Sequence, residues 1–313
     1  MKQLIRVEGF CLIGHIVTMV FGWAGLLLVL PHPEVILNLP AFGQSFFQLS
    51  MAGGGVVNII LGAIAVAIFA YRTLGAWHWL TFMLPAVCIS LSSELLGTGT
   101  GFPFGDYHYL NGLGYKIAGL VPFTIPISWF YMGLASYLIA RVALKLDQKP
   151  SWVRWVGAIA IGAILFTSWD FALEPAMSQT SVPFWYWDKA GAFFGTPYQN
   201  YAGWFGTSAL FMTFAAIIWT RKPLLVQQEP KQPLTRNQLG LPLIIYLSNY
   251  AYAAVLSLAS GFGLPVLLGL LTGVVPAIAL YAIAQPAKAP VAETKSATIN
   301  TEIPIAAVKV GVK

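Results

Sequence analysis

Eight apolar stretches, each about as long as a lipid bilayer is thick, constrain this chain more than any other feature. They run at roughly 9–30, 50–71, 77–97, 117–140, 153–174, 201–220, 240–259 and 263–284. A hydrocarbon core about 30 Å thick requires about 20 mostly apolar residues in a spanning helix. Inside it every backbone N–H and C=O must find a partner, which leaves helices or closed barrels. Barrel strands would be short and alternating, and these runs are neither. Only 9% of the 313 residues are charged, against about 25% in a soluble domain. The expected fold is therefore all-α, a polytopic integral membrane protein of about eight transmembrane helices forming one domain over residues 1–285. The first run is too long for a signal-peptide core and lacks a small-residue cleavage site, so it counts as the first span. Residues 286–313, rich in Ala, Pro, Thr and Lys, are expected to form a disordered cytoplasmic tail.

The net charge of +6 does not indicate nucleic acid, which would require a basic patch or stripe. The basic residues sit instead at the ends of the apolar runs. With the N-terminus inside, every one of the 17 Lys and Arg residues except Lys116 and Lys189 falls on the inner side. The positive-inside rule thus supports eight spans with both termini cytoplasmic. Cys11 and Cys88 lie within apolar runs and offer neither a disulfide framework nor metal-ligand spacing.

Two helix–loop–helix units are related. Trp79 precedes Glu94 by 15 residues, and Trp155 precedes Asp170 by 15. Pro122 precedes Trp129 by seven, and Pro197 precedes Trp204 by seven. The offsets between units are 76 and 75 residues. Each unit crosses the membrane twice, so this is a direct repeat of helices 3–4 in helices 5–6. At 1.5 Å per residue, Glu94 and Asp170 both stand about 22 Å above an inner-side tryptophan, near the outer ends of their helices. The loops that follow, 98–116 and 175–200, are rich in Gly, Pro and aromatic rings. Such loops are expected to fold back onto the bundle, although an ordinary interfacial aromatic belt has the same composition.

Among the 11 acidic residues, Glu94, Asp170 and Glu174 stand out because they lie at membrane depth, where charge is costly. Asp170 and Glu174 are four apart, on one helix face. Asp106 and Asp188 lie in the two aromatic loops, so five carboxyl groups are expected at one level. An apolar site without counter-charges favours the protonated carboxyl, the form a general acid requires. The plainer readings are that each acid accepts hydrogen bonds from neighbouring helices, or that Glu174-Pro175 ends its helix.

Several chemistries are argued down. Membrane di-iron enzymes use clustered histidines, whereas His15, His32, His78 and His108 are scattered, so no metal site is expected. Asp170-x-x-x-Glu174 resembles half of a diphosphate-binding acidic motif, but its partner motif and basic residues are missing. No phosphate loop, dinucleotide fingerprint or serine elbow is present. Cofactor-independent acid chemistry on an apolar substrate remains. Trp129, Trp185, Tyr186, Trp187 and Trp204 supply aromatic faces near the acids, and such faces attract cations. A protonated alkene is a cation, so acid with aromatic lining points to alkene protonation.

The motifs themselves carry a resemblance. Glu94-Leu-Leu-Gly97, Pro103-Phe-Gly-Asp106-Tyr107, Leu113-Gly114, Val121-Pro122 and Trp129 form its first part. Asp170-x-x-x-Glu174-Pro175, Trp185-Tyr-Trp187, Gly191, Phe194-Gly195-x-Pro197 and Asn200-Tyr-x-Gly203-Trp204 form its second. In these the chain resembles the carotenoid-biosynthesis membrane protein family, of the γ-carotene 1′-hydroxylase and bisanhydrobacterioruberin hydratase type. The resemblance covers roughly residues 10–285 and is most specific over 92–206. It implies addition of water across the terminal C-1′=C-2′ double bond of a γ-carotene-like or lycopene-like substrate, without a cofactor. One of Glu94 or Asp170 would protonate C-2′, and Glu174 or Asp106 would orient and deprotonate the water. Tyr107, Trp129, Trp185, Trp187, Asn200 and Trp204 would bind the substrate. A glycosyltransferase acting on the product is the pathway partner it implies. End-group cyclisation starts with the same protonation and stays open. A transporter, the alternative from another class, would place acids near the midplane with broken helices.

Overall fold

The computed structural model describes residues 1–221, 224–225 and 233–284; the expected tail at 286–313 lies outside the described residues. Among the described residues ten α-helices follow in order: α1 Lys2–Trp23, α2 Pro33–Leu37, α3 Ala41–Leu74, α4 Ala76–Thr100, α5 Thr124–Ala143, α6 Trp152–Ser178, α7 Tyr198–Trp219, α8 Gly240–Ala259, α9 Gly263–Gly269 and α10 Val275–Ile283. Four short strands, β1 Tyr107–Tyr109, β2 Lys116–Ile117, β3 Val121–Pro122 and β4 Trp185–Trp187, lie in the loops. A π-helical segment, Ala24–Val29, continues α1, and another, Leu270–Val274, joins α9 to α10. With these joins, eight helical segments among the described residues are long and apolar enough to cross a membrane. The protein is a polytopic integral membrane protein.

Burial orders the helices. For α5, 94% of its most apolar window is buried inside the protein, against 11% for the first span. The hub is thus α5, packed against α3, α4, α6, α8 and α10, while α1 lies outside on α3 and α8. The outward side chains of α1, among them Phe10, Ile13, Val17 and Phe21, are exposed, as expected of a lipid-facing surface. A single residue, Gly75, breaks α3 from α4. Its φ of 88° and ψ of 162° are available to glycine at little steric cost.

Several boundaries differ from the hydropathy reading. Residues 117–123 do not begin α5; they form the β2–β3 pair, in which Lys116 faces Pro122 and Ile117 faces Val121. Pro122 lies there, and proline disfavours helical backbone in the residue before it. Pro175 does not end α6, which runs on to Ser178. Helix α3 starts nine residues earlier than its apolar core, at Ala41.

The repeat takes on a geometric meaning. Strand β1 follows α4, β4 follows α6, and the two pair antiparallel as Tyr107 with Trp187, His108 with Tyr186 and Tyr109 with Trp185. Equivalent strands paired symmetrically about a central residue pair are what a two-fold relation between the units produces. Trp129 and Trp204, equivalent by the 75-residue offset, stack with ring centroids 4.5 Å apart. The aromatic loops are therefore a packed cap. Phe104 is only 1% exposed, held between α4 and α7 at Gly97 and Gly203. A Cβ on either glycine would come within 2.7 Å of its ring.

Candidate functional site

The β1–β4 cap covers three carboxyl groups carried by α4 and α6. Glu94, Asp170 and Glu174 are 3%, 0% and 2% exposed, and each lies within electrostatic range of the other two. Spacing explains the convergence. Asp170 and Glu174 are one helical turn apart, and the two-fold relation brings α4 opposite them.

Each carboxyl meets a different set of donors. Glu94 Oε2 accepts from the hydroxyl of Tyr107 and from that of Tyr109 at 2.9 Å, and its Oε1 accepts from Trp129 Nε1 at 3.0 Å. Glu174 Oε1 accepts from Trp185 Nε1 at 2.8 Å and Trp187 Nε1 at 2.6 Å. Tyr107 and Tyr109 alternate along β1, as Trp185 and Trp187 do along β4, so each pair shares one strand face. That face is the one turned to the acids. Burial, followed by the neighbouring charge of Glu94, raises the Tyr107 and Tyr109 hydroxyls well above the usual tyrosine range. They stay protonated and donate.

Asp170 differs. Its Oδ2 accepts from Asn200 Nδ2 at 2.7 Å, but its buried Oδ1 has no hydrogen-bond partner among the described residues. Aromatic rings gather along the same stretch of α6. Phe166 and Trp169 flank the position, and Trp204 packs on both, with centroids 5.0 and 5.8 Å away. Trp129 stacks on the far side of Trp204.

Not every expected residue joins this cluster. Asp106 is exposed; a Cβ on Gly101 would touch its Oδ1, so its side chain turns back to the end of α4. Asp188 is 41% exposed and lies 3.1 Å from His108 Nε2. Both belong to the outer surface, so three acids converge rather than five. Tyr186 also faces outward, its ring against His108, because it occupies the middle position of β4. Lys116 donates to the Tyr109 carbonyl, and the ion pairs among the described residues all lie elsewhere. No group of three or more His, Cys, Asp and Glu is arranged to hold a metal ion among the described residues.

Tyr109 was missed by sequence reasoning, although its two-residue spacing from Tyr107 mirrors that of Trp185 and Trp187. A second polar network was missed as well. Asn249 on α8 donates to His15 Nε2 at 3.0 Å and to the Ile245 carbonyl at 2.9 Å, and accepts from Tyr131 at 3.1 Å. His15 in turn bonds the Asn58 carbonyl at 2.8 Å. This network ties α1, α3, α5 and α8 together within the membrane.

The chain matches the carotenoid biosynthesis protein family over residues 54–276. It is similar to the bisanhydrobacterioruberin hydratase of Haloarcula japonica, with 33% identity over 124 residues, which are 39% of this chain and 40% of that protein. The match thus spans less than half of that relative's length. No solved structure matches the chain.

Proposed function

Since the chain belongs to the carotenoid biosynthesis protein family, we propose that it is a carotenoid hydratase, adding water across the terminal C-1′=C-2′ double bond of an acyclic or monocyclic carotene. One observation carries the reading: Asp170 Oδ1 is buried without a partner among the described residues, on a helix whose Phe166 and Trp169 pack with Trp204. With Asn200 donating to Oδ2, a proton on the carboxyl sits on Oδ1. An alkene accepts hydrogen bonds poorly, so an acid that protonates carbon would have a free O–H facing an apolar site. Asp170 thus protonates C-2′ and leaves a tertiary cation at C-1′. The faces of Trp129, Trp204 and Phe166 stabilise it. Glu174 takes a proton from the attacking water. Glu94, its oxygens engaged by Tyr107, Tyr109 and Trp129, holds the cap on the bundle and supplies oxygen lone pairs near the cation. The 33% identity to a protein named as a hydratase supports water, rather than a ring-closing double bond, as the captor.

In this reading residues 1–285 form one transmembrane catalytic domain with cytoplasmic termini, supported by the Lys and Arg asymmetry. The product is a tertiary alcohol, the kind of acceptor a glycosyl-transfer step would use. The test is product mass. The chain is expressed in a host that makes γ-carotene or lycopene, grown in ¹⁸O-water, and the pigments are analysed. A carotene gaining one labelled water is expected. An isomer of unchanged mass would mean cyclisation, and unlabelled oxygen would mean chemistry with O₂.

A further inference from the structure

We propose that the hydroxyls of Tyr201 and Thr196 hold the water that attacks the cation, an inference that rests on the hydration reading and extends it to two residues beyond the carboxyl cluster. Tyr201 lies in the first turn of α7, directly after Asn200, and Thr196 precedes Pro197 at the helix start. Thr196 is 0% and Tyr201 8% exposed. Neither hydroxyl makes a hydrogen bond of good geometry among the described residues, although the two lie close enough to interact with each other. The Tyr201 hydroxyl lies beside Thr196 and within electrostatic range of both Asp170 and Glu174. Its ring is fixed between Phe171, 4.7 Å away, and Phe193, 5.3 Å away.

Buried polar atoms without partners are uncommon in folded proteins. Here the two hydroxyls lie together within electrostatic range of Asp170 and Glu174, while Asn200, between them in the chain, is satisfied by Asp170. A buried water typically makes about three hydrogen bonds to such groups, and a hydroxyl can both donate to it and accept from it. The repeat sharpens the point. By the 75-residue offset, the first unit has Val121 and Pro126 where the second has Thr196 and Tyr201. The two-fold frame is thus apolar on one side and polar on the other, so water reaches the cation from one side only.

The steps balance. The Asp170 proton bonds to C-2′ with the alkene π electrons, leaving the cation at C-1′. A lone pair of the held water forms the C–O bond. A proton of that water passes to Glu174 and returns to Asp170, one helical turn away. The sum is addition of one water, with no oxidant or reductant.

Tyr201→Phe and Thr196→Val, each in the full chain in isolated membranes given preformed unlabelled carotene in deuterated water, test this. Alcohol should fall at least about tenfold, an added barrier of about 1.4 kcal/mol. Deuterium should still enter recovered carotene, because protonation at C-2′ and its reversal by loss of the other C-2′ hydrogen need no water at this position. Should Tyr201→Phe fail to insert, Thr196→Val carries the same readout. Unchanged alcohol in the inserted variants would overturn the proposal, as would joint loss of alcohol and exchange. A wild-type chain that makes no alcohol would instead remove the hydration reading on which it rests.

Discussion

Replacing Asp170 with asparagine separates acid chemistry from architecture, because the structure sets the two effects far apart in size. The introduced amide keeps an acceptor oxygen toward Asn200, where the present bond is 2.7 Å, and places an N–H group where Oδ1 now lies. That oxygen is already without a partner, so one orphaned buried atom replaces another. An orphaned polar group costs about 1–3 kcal/mol. Since the cost is present before and after, stability should change by no more than about 1 kcal/mol. Removing a general acid, by contrast, lowers a rate about 10²–10⁴-fold, or about 2.7–5.4 kcal/mol of barrier at 1.36 kcal/mol per tenfold. The assay pairs alcohol yield per unit of inserted protein with thermal melting in detergent. Asp170→Asn should melt like wild type and make almost no alcohol. Asp170→Ala should lose both, since it strands Asn200 as well. Wild-type yield from Asp170→Asn would refute the assignment of the acid. Loss of yield together with a large fall in melting temperature would show that Asp170 is scaffold.

Other outcomes follow from the same contacts. Glu94→Gln sets an amide N–H against a ring of three donors, so it should destabilise the protein by about 1–3 kcal/mol; an unchanged melting curve would contradict the clamp. Trp187→Phe removes the 2.6 Å bond to Glu174 but leaves that from Trp185, so alcohol yield should fall about tenfold or less while insertion holds. Asn249→Leu breaks three bonds, each worth about 0.6–1.7 kcal/mol in a membrane protein; melting should drop while the apparent KM for carotene stays constant. Because the folded state holds the Tyr107 and Tyr109 protons more tightly than the unfolded chain does, their contribution is complete below about pH 10, the ordinary tyrosine range, and is lost as pH climbs toward the folded values. A Tyr107→Phe, Tyr109→Phe double variant should therefore show a shallower alkaline loss of stability than wild type.

Membrane insertion, helix count and the place of Glu94 and Asp170 toward the C-terminal ends of α4 and α6 were all legible in the linear sequence, because each depends on quantities local to a segment: apolar length and the position of a residue within it. The pairing of Asp170 with Glu174 was legible for the same reason, being a matter of helical period. The repeat was visible as matched spacings, but its two-fold pairing was not, since nothing in Tyr107–Tyr109 says that its partner is Trp185–Trp187, 78 residues on. Once that pairing exists, strand alternation divides the loops. Tyr107, Tyr109, Trp185 and Trp187 turn to the acids, while His108 and Tyr186 turn outward, and Asp106 and Asp188 are left on the surface. Composition treats all eight alike. Which carboxyl keeps a free oxygen is likewise a tertiary fact. Both oxygens of Glu94 and of Glu174 meet donors from distant segments, and Asp170 Oδ1 does not, because α7 brings that carboxyl one amide, from Asn200.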